Sequence, residues 1–320
     1  MLKVHTRSLS VKTWVVRGCL ALMLVVPGWV TAQAFDRIVV FGTSLSDPGN
    51  AFALVGGTTT PPFYSLAKLN LIPDAPYTGG GGGSHHFSNG PTWVEQLGRT
   101  LGLARSVRPA FRGSNPGATN YAIGGARARS VDQTNLSAQV GAFLSDIGNA
   151  SAPSSALYVI EMGGNDIRDI LLTGNAGIIN EALTSIGQNI ANLYARGARK
   201  FLVWKVPNVG LTPAVRAAGP SAVAFAGLLT QLFNNGLELM LQTNFAGVDI
   251  VLFDVNSTLN AIFADPGQFQ LTNVDLPCVT PGVPPFNCKN ADEYLFWDGI
   301  HPTTAAHGII AQKVGLVLPH

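Results

Sequence analysis

Asp298 and His301 are the residues whose types and spacing best suit acid–base chemistry. They lie three positions apart, with Gly299 between them and Pro302 directly after His301. On a tight turn this spacing lets the carboxylate accept a hydrogen bond from one imidazole nitrogen, so that the other nitrogen faces a nucleophile as a general base must. No other histidine has a carboxylate placed in this way. An Asp–His pair on the surface, with no catalytic role, is the alternative interpretation.

Ser44 is the candidate nucleophile for such a base. It lies in the run GTSLSDPGN at 42–50, directly after a short apolar segment. A serine hydroxyl is a poor nucleophile at neutral pH and needs a base within hydrogen-bond reach. On a glycine-preceded turn at the end of a strand, Ser44 is expected to be exposed to receive one. A helix cap is the alternative, because serine is a preferred N-cap residue.

Four short apolar runs predict the strands that must position these residues. They span 37–42, 156–162, 200–206 and 248–254, are rich in β-branched residues and do not alternate cleanly with polar residues. This composition is typical of strands that are buried on both faces. Strands alternating with helices predict a parallel sheet covered on both sides. The predicted helices span 92–103, 136–147, 177–196, 221–245 and 303–316.

The segment from 56 to 90 fits neither pattern. It contains several prolines and five consecutive glycines at 79–83. We expect a long surface loop, of the kind that is often functional. The glycine run is not a phosphate-binding loop, because no Lys followed by Ser or Thr ends it.

Four segments lie where the predicted elements would bring them to one edge of the sheet. In α/β sheets, ligands bind at the carboxyl ends of the strands. The run at 42–50 follows the first predicted strand, and the run GGND at 163–166 follows the second. The run NYAIGGA at 120–126 lies upstream of the second strand, and FWDGIHPT at 296–303 leads into the last predicted helix.

In this order the segments resemble the four blocks of the GDSL-type, or SGNH, serine hydrolases, and the resemblance runs from Phe35 almost to the end of the chain. The run HFSNGPTW at 86–93 is also similar to a segment common in one branch of that family. The resemblance implies a three-layer α/β/α sandwich with a mostly parallel, flavodoxin-like sheet. It also implies hydrolysis of esters or related acyl compounds, with Ser44, Asp298 and His301 as the catalytic triad and with no cofactor.

Three hydrogen-bond donors are candidates for the oxyanion hole that a tetrahedral intermediate requires. They are the backbone N–H of Ser44, the backbone N–H of Gly125 and the side-chain amide of Asn165. Gly125 is preferred to Gly124 because it falls five residues after Asn120, which is the spacing of the resembled family. A tight turn is the alternative interpretation of the glycine pair, and an Asx turn is the alternative for Asn165.

Thr43 departs from the resembled family, which usually has Asp before the serine. That Asp is not the carboxylate of the triad, so we expect the chemistry to persist with different hydrogen bonding in the turn. The departure motivates one alternative function, a catalytically silent carbohydrate- or lipid-binding protein on the same fold. An acyltransferase of the same family is another. The G-x-S-x-G elbow of the α/β hydrolases is absent, because Ser46 stands at the second position after Ser44.

Residues 1–34 are predicted to be a secretory signal peptide. Residues 1–17 contain four basic residues and no acid, an uncharged and mostly apolar run follows at 18–30, and a small-x-small cleavage site lies at 32–34. The run is shorter than the roughly 20 residues that a membrane span requires, and Pro27 interrupts it. A membrane anchor is the alternative. The mature chain, 35–320, is expected to be one SGNH hydrolase domain, secreted or periplasmic, without a transmembrane segment.

Cys278 and Cys288 are the cysteines that remain once the leader, which contains Cys19, is removed. They are ten positions apart in a proline-rich stretch. An even number of cysteines in an oxidising compartment favours a disulfide. Metal binding is the alternative, although no CxxC motif or nearby histidine supplies further ligands.

The composition indicates a globular chain without a nucleic-acid-binding surface. Hydrophobic residues make up 47% of the chain and charged residues 12%, the opposite of a disordered composition. Removal of the leader's four basic residues leaves 16 of 20, against 18 acidic residues, so no basic surface for nucleic acid is expected. The expected substrate is a small-molecule or lipid ester. Short- to medium-chain acyl or aryl esters are favoured, because the loop at 56–90 offers apolar surface without a helical lid.

Overall fold

The structure, a computed structural model, describes residues 35–54, 72–73, 75–77, 85–113, 116–281, 283 and 287–319. The predicted signal peptide and most of the predicted loop at 56–90 lie outside the described residues. Within the described ranges, no helix is both long and apolar enough to cross a membrane.

A four-stranded parallel sheet lies at the centre of the fold, with its strands side by side in chain order. The first three strands are almost completely buried, whereas the fourth, an edge strand, is partly exposed. All four predicted strands are confirmed. They are β1 (Ile38–Gly42), β2 (Leu157–Glu161), β3 (Lys200–Trp204) and β4 (Asp249–Phe253).

Helices cover both faces of this sheet. The five predicted helices are confirmed within a few residues at each end, and four further helices were not predicted. Among the described residues the helices are α1 (Asn50–Leu54), α2 (Trp93–Thr100), α3 (Leu136–Ile147), α4 (Gly164–Thr173), α5 (Ile178–Ala195), α6 (Pro213–Ala217), α7 (Pro220–Asn244), α8 (Val255–Ala264) and α9 (Thr304–Val317).

Alternate residues of each strand point to opposite faces, which gives the fold two separate apolar layers. Val39 and Phe41 of β1 pack on one face with buried side chains of α3, α4, α5 and α7. Ile38 and Val40 pack on the other face with side chains of α2 and α9. The protein is therefore a three-layer α/β/α sandwich, as the sequence predicted.

Residues 119–123 run along the free edge of β1 and extend the sheet irregularly. Tyr121 donates its N–H to Val40, and Ile123 donates its N–H to Gly42. These bonds hold the run at 120–126 beside the carboxyl end of β1, where Ser44 follows.

A second, two-stranded sheet lies next to the segment that carries Asp298. It is formed by β5 (Asn273–Pro277) and β6 (Tyr294–Phe296). Cys278 and Cys288 form the predicted disulfide, with Cα atoms 5.6 Å apart. Both cysteines lie in the segment that connects β5 to β6. The cysteines pack with Tyr77 and Trp297 in a small apolar cluster, so the disulfide supports the residue that precedes Asp298.

Candidate active site

Ser44, His301 and Asp298 lie in one hydrogen-bonded chain. The Nε2 atom of His301 is 2.8 Å from the Oγ atom of Ser44. The Nδ1 atom of His301 is 2.8 Å from Oδ2 of Asp298 and 3.0 Å from Oδ1. Ser44 is only 8% exposed, so the expectation of an exposed serine is corrected: its hydroxyl faces a cavity and not open solvent. This arrangement allows the imidazole to accept the hydroxyl proton.

A turn of four residues holds the Asp298 carboxylate. Its Oδ1 atom accepts the backbone N–H groups of Ile300 and His301, each at 2.9 Å. Its Oδ2 atom accepts the hydroxyl of Tyr77 at 3.2 Å. The ring of Phe87 lies 5.3 Å from the imidazole of His301. Tyr77 and Phe87 are buried, so the expectation of a surface loop at 56–90 is wrong for these two residues, which pack against the site.

Thr43 bonds to Glu161, the last residue of β2. The backbone N–H and the hydroxyl of Thr43 both lie 3.0 Å from carboxylate oxygens of Glu161. Ser46 donates its hydroxyl to the same carboxylate at 3.1 Å and accepts the indole N–H of Trp93 at 3.0 Å. A side chain at Gly42 would place its Cβ 3.0 Å from that carboxylate, so the close approach of the two strand ends favours glycine there.

Burial of the Glu161 carboxyl raises its pKa to about 7, although the hydrogen bonds from Thr43 and Ser46 oppose the rise. The turn that carries Ser44 therefore rests on a carboxyl group that titrates near neutral pH. This is the different hydrogen bonding that Thr43 led us to expect.

Asp47 connects the turn after β1 to the run at 120–126. Its carboxylate accepts the backbone N–H groups of three residues at 49–51 and also that of Gly124, at 2.8 Å. Burial raises the pKa of Asp47, and these four hydrogen bonds oppose the rise. Asn50 adds a second connection, because its amide donates to the carbonyl oxygens of Asn120 and Ala122.

The three predicted oxyanion donors lie at neighbouring strand ends and keep free N–H groups. The backbone N–H groups of Ser44 and Gly125 have no acceptor among the described residues. Gly124 differs, since its N–H is bonded to Asp47. Gly125 has a φ of +82°, a backbone conformation that favours glycine. The Asn165 amide donates one N–H to the carbonyl of Ala126 at 2.9 Å, which leaves its second N–H without an acceptor in the described structure.

A cluster of charged side chains supports the turn at Gly125. Arg127 donates to the Gly125 carbonyl at 2.6 Å and pairs with Asp169 at 2.9 Å. Arg129 bonds to the same Asp169 carboxylate. Asp166 accepts the backbone N–H of Ala128 at 2.8 Å, and its burial raises its pKa to about 6.

His86 forms a second histidine–carboxylate pair, which the sequence analysis did not expect. Its Nε2 atom is 2.8 Å from Oε2 of Glu95, the residue that also caps the first turn of α2. Local spacing did not predict this pair, because Glu95 lies nine positions after His86 and not three. No group of three or more His, Cys, Asp or Glu side chains within the described ranges is arranged to hold a metal ion.

Comparison with known proteins decides the family. The chain matches the model of the GDSL-like lipase/acylhydrolase family over residues 38–314. The chain belongs to this family. It is 29% identical over 315 residues to the GDSL esterase/lipase At1g73610 of Arabidopsis thaliana, an alignment that covers 87% of this chain and 88% of that protein. It is 26% identical over 324 residues to the GDSL esterase/lipase At4g16230 of the same plant, covering 86% and 85%.

Solved structures with a similar fold include members of the same family. A lipolytic protein of the G-D-S-L family from Veillonella parvula is 13% identical, with a TM-score of 0.45, and the match covers 88% of this chain and 97% of that one. The acetylxylan esterase Axe2 from Geobacillus stearothermophilus is 12% identical, with a TM-score of 0.46, covering 88% and 94%. As a member of the GDSL family, the protein is a carboxylic ester hydrolase.

A cavity of about 130 Å³ opens beside Ser44 in this GDSL protein. Its lining is mostly apolar, and the buried side chains of Trp204 and Val255 contribute to it. Asn165 and Arg168 are among the polar side chains that reach it. The cavity therefore offers an apolar space that is lined by Ser44 and by Asn165, one of the predicted oxyanion donors.

Glu161, Arg168 and Tyr77 are site residues that sequence reasoning missed. A charged residue at the end of a buried apolar strand, as at Glu161, is a signal that could have been used. Arg168 donates to Asn165 one helical turn earlier, a spacing visible in the sequence once α4 is known. Tyr77 reaches Asp298 across 221 positions, and no local pattern predicts that contact.

Proposed function

We propose that the protein is an exported serine esterase that cleaves carboxylic esters through an acyl-enzyme on Ser44. The observation that carries the proposal is the chain of contacts from Ser44 Oγ to His301 Nε2 and from His301 Nδ1 to Asp298, at 2.8 Å each. Export is supported by the leader-like sequence at 1–34 and by the disulfide, since disulfides persist in oxidising compartments.

In the first half of the reaction, the Oγ atom of Ser44 attacks the acyl carbon while its proton moves to His301 Nε2. Asp298 holds the imidazole and stabilises its positive charge. The electron pair of the carbonyl bond moves onto oxygen, and the N–H groups of Ser44, Gly125 and Asn165 stabilise that oxyanion. Collapse of the intermediate breaks the bond to the alcohol oxygen, which takes the proton from His301.

In the second half, water replaces the alcohol. His301 accepts a proton from water as the oxygen attacks the acyl carbon, and the same three donors stabilise the second oxyanion. Collapse releases the carboxylic acid and returns the proton to Ser44. The residues need no cofactor for these steps.

The size and lining of the cavity support short- to medium-chain acyl or aryl esters as substrates. The cavity holds about 130 Å³ and is mostly apolar, and an apolar cavity of about 150 Å³ is known to accommodate benzene. Each buried CH₂ contributes about 0.8 kcal/mol, so affinity should rise with chain length until the cavity is filled.

The triad is tested by single and double substitutions. Ser44→Ala and His301→Ala should each nearly abolish turnover of p-nitrophenyl butyrate, and the double variant should be little worse because the residues act as a unit. A fluorophosphonate probe should label wild type at Ser44 and leave folded Ser44→Ala unlabelled. Additive losses in the double variant, or no labelling of the folded wild-type protein, would contradict the assignment.

The substrate class is tested with p-nitrophenyl esters of increasing acyl length, alongside an emulsified triglyceride. We expect kcat/KM to peak at short to medium chains, with little activity on the emulsion. A sharp optimum at long chains with activation at the oil–water interface would make the protein a true lipase.

A further inference from the structure

Arg168 lies at the cavity beside Ser44, one turn of α4 after Asn165. Its Nη1 group donates to the side-chain oxygen of Asn165 at 2.9 Å. The neighbouring arginines, Arg127 and Arg129, both pair with Asp169. By contrast, no carboxylate among the described residues lies within ion-pair distance of Arg168. Within the described structure, Asn165 is thus the hydrogen-bond partner of the Arg168 guanidinium.

The hydrogen-bond inventory of Asn165 shows why this contact matters. A primary amide has two N–H donors on nitrogen and an acceptor oxygen. The oxygen accepts from Arg168, and one N–H donates to the carbonyl of Ala126 at 2.9 Å. These two bonds fix which end of the amide faces which way, because a flipped amide would set its nitrogen against the guanidinium and its oxygen against the carbonyl. One N–H remains, and Asn165 lines the cavity beside Ser44.

The charge of Arg168 also acts on this amide. A guanidinium stays protonated in proteins. Burial and the nearby Arg127 lower the pKa of Arg168, whereas Asp169 and Asp298 oppose that change. A cationic donor on the amide oxygen draws electron density away from the nitrogen, and hydrogen bonds in such chains strengthen one another.

We propose that Arg168 is a positioning residue, which fixes and polarises the Asn165 amide so that its second N–H faces the oxyanion formed at the acyl carbon. The proposal rests on the proposed function. The Asn165 N–H stabilises the oxygen more strongly only when negative charge develops on it. The effect of Arg168 should therefore appear in kcat and leave substrate binding largely unchanged.

The test compares Arg168→Met and Arg168→Lys in two backgrounds, wild type and Asn165→Ala. Asn165→Ala should lower kcat by roughly 10²- to 10³-fold, as expected for one oxyanion donor. Arg168→Met should lower kcat by about tenfold or more with little change in KM, and Arg168→Lys, which keeps the charge and a donor, should lose less. In the Asn165→Ala background, Arg168→Met should change kcat by less than about twofold, because its partner is gone.

The matched control is Arg199→Gln. Arg199 is exposed and donates to backbone carbonyls at the opposite end of β3, so its loss removes the same charge without touching the site. Its kcat should remain that of wild type. Equal losses from Arg168→Met in both backgrounds would overturn the proposal. So would a change confined to KM, or a loss confined to esters that carry an anionic group, since these would make Arg168 a substrate-binding residue.

A second readout needs no turnover. The side-chain amide signal of Asn165 in a ¹⁵N-correlated NMR spectrum can be assigned by its absence from Asn165→Ala. It should shift in Arg168→Met, or in Arg168→Lys if the Met variant fails to fold, and should stay in place in Arg199→Gln. An unchanged signal overturns the role of Arg168 even if hydrolysis fails altogether, whereas a shifted signal with no ester hydrolysis in wild type would overturn only the proposed function.

Discussion

At the scale of single residues, the turn of Ser44 depends on a buried carboxyl group that is outside the triad. Thr43 and Ser46, which lie on either side of Ser44 in the chain, both donate hydrogen bonds to Glu161. Glu161 is 3% exposed, and its burial raises its pKa to about 7. A chain that buries a carboxyl here must keep it protonated or stabilise its charge with these donors.

The raised pKa of Glu161 gives a prediction with a defined sign. A carboxyl whose pKa is higher in the folded state contributes stability that is fully present below its unfolded pKa, near 4.5, and that is lost as the pH rises through about 7. The loss amounts to about 3 kcal/mol, at 1.36 kcal/mol per pKa unit. Glu161→Gln removes this titration, so its melting temperature relative to wild type should be more favourable at pH 8 than at pH 4.5.

Exposed Glu181→Gln is the control for this measurement, because that side chain lies on the solvent face of α5. Its melting temperature should differ from that of wild type by a similar amount at both pH values. If Glu161→Gln also showed a constant difference, the Glu161 carboxyl would not be held protonated by the fold.

Part of the site was visible in the sequence, and part required the fold. Asp298 and His301 are three positions apart, so local spacing was enough to pair them, and the four motif blocks brought in Ser44. The hydrogen bond from Arg168 to Asn165 was not visible, because no helix was predicted where α4 lies. Contacts between side chains that are distant in sequence, such as Tyr77 with Asp298, depend on the complete fold.

At the scale of elements, the strands were predictable because they are short apolar runs rich in β-branched residues, and the long helices because helix-like stretches alternate with those runs. The missed helix α4 begins within the GGND run and buries two polar residues, Asn165 and Asp166, in its first turn. The missed helix α8 follows β4 directly. Its signal was Asp254, whose carboxylate accepts the N–H groups of Asn256 and Ser257 as an N-cap. Both helices are short, with ten residues each, so their apolar residues give a weaker pattern than those of the long helices.

The disulfide between Cys278 and Cys288 supports the element that carries Asp298. The residues beside the bond donate to the backbone of β6 and its continuation: Cys278 N–H bonds to Phe296, and Val279 N–H bonds to Trp297. Trp297 also packs on Tyr77, the residue that donates to the Asp298 carboxylate. Loss of the bond should therefore loosen both the backbone and the side chain next to Asp298.

Replacement of both cysteines by serine should lower stability by at most about 2 to 3 kcal/mol, because the bond closes a short loop. Melting temperature measures the effect, and reducing agent should lower that of wild type but not that of the double variant. Reducing agent should also lower the kcat of wild type at temperatures near its melting point. It should leave the kcat of the double variant unchanged. Two free thiols in the native exported protein would refute the bond.

At the scale of the whole molecule, burial between the layers changes the pKa of acids and of a histidine in opposite directions. Burial raises the pKa of Glu161 to about 7 and that of Asp166 to about 6. Burial, together with the nearby His86 and His301, lowers the pKa of His307 to about 3. His307 projects from α9, and both of its ring nitrogens lack a hydrogen-bond partner within the described structure.

These groups make the free energy of unfolding depend on pH in two opposite directions. Glu161 and Asp166 bind more protons in the folded state, so their contribution to stability falls as the pH rises, from about 4.5 to 7 for Glu161 and from 3.8 to about 6 for Asp166. His307 has the opposite effect. Its contribution is present above its unfolded pKa of 6.5 and is lost as the pH falls towards about 3, because the unfolded chain takes up a proton that the folded protein refuses. Between about pH 4.5 and 6.5, the pH dependence from the two acids and the pH dependence from His307 oppose each other.

Replacing His307 by leucine should therefore remove the histidine's contribution and leave the pH dependence of the two acids. The change in packing is the same at every pH, so the comparison uses the difference in unfolding free energy between variant and wild type. That difference should be more favourable to the variant at pH 4.5 than at pH 8, by about 2 to 3 kcal/mol for the two pH units below 6.5. This sign is opposite to the one expected for Glu161→Gln. Urea unfolding at the two pH values measures both variants in one series. A His307→Leu difference that stays constant with pH would mean that the folded protein accepts the proton, and that burial beside His86 and His301 does not hold His307 neutral.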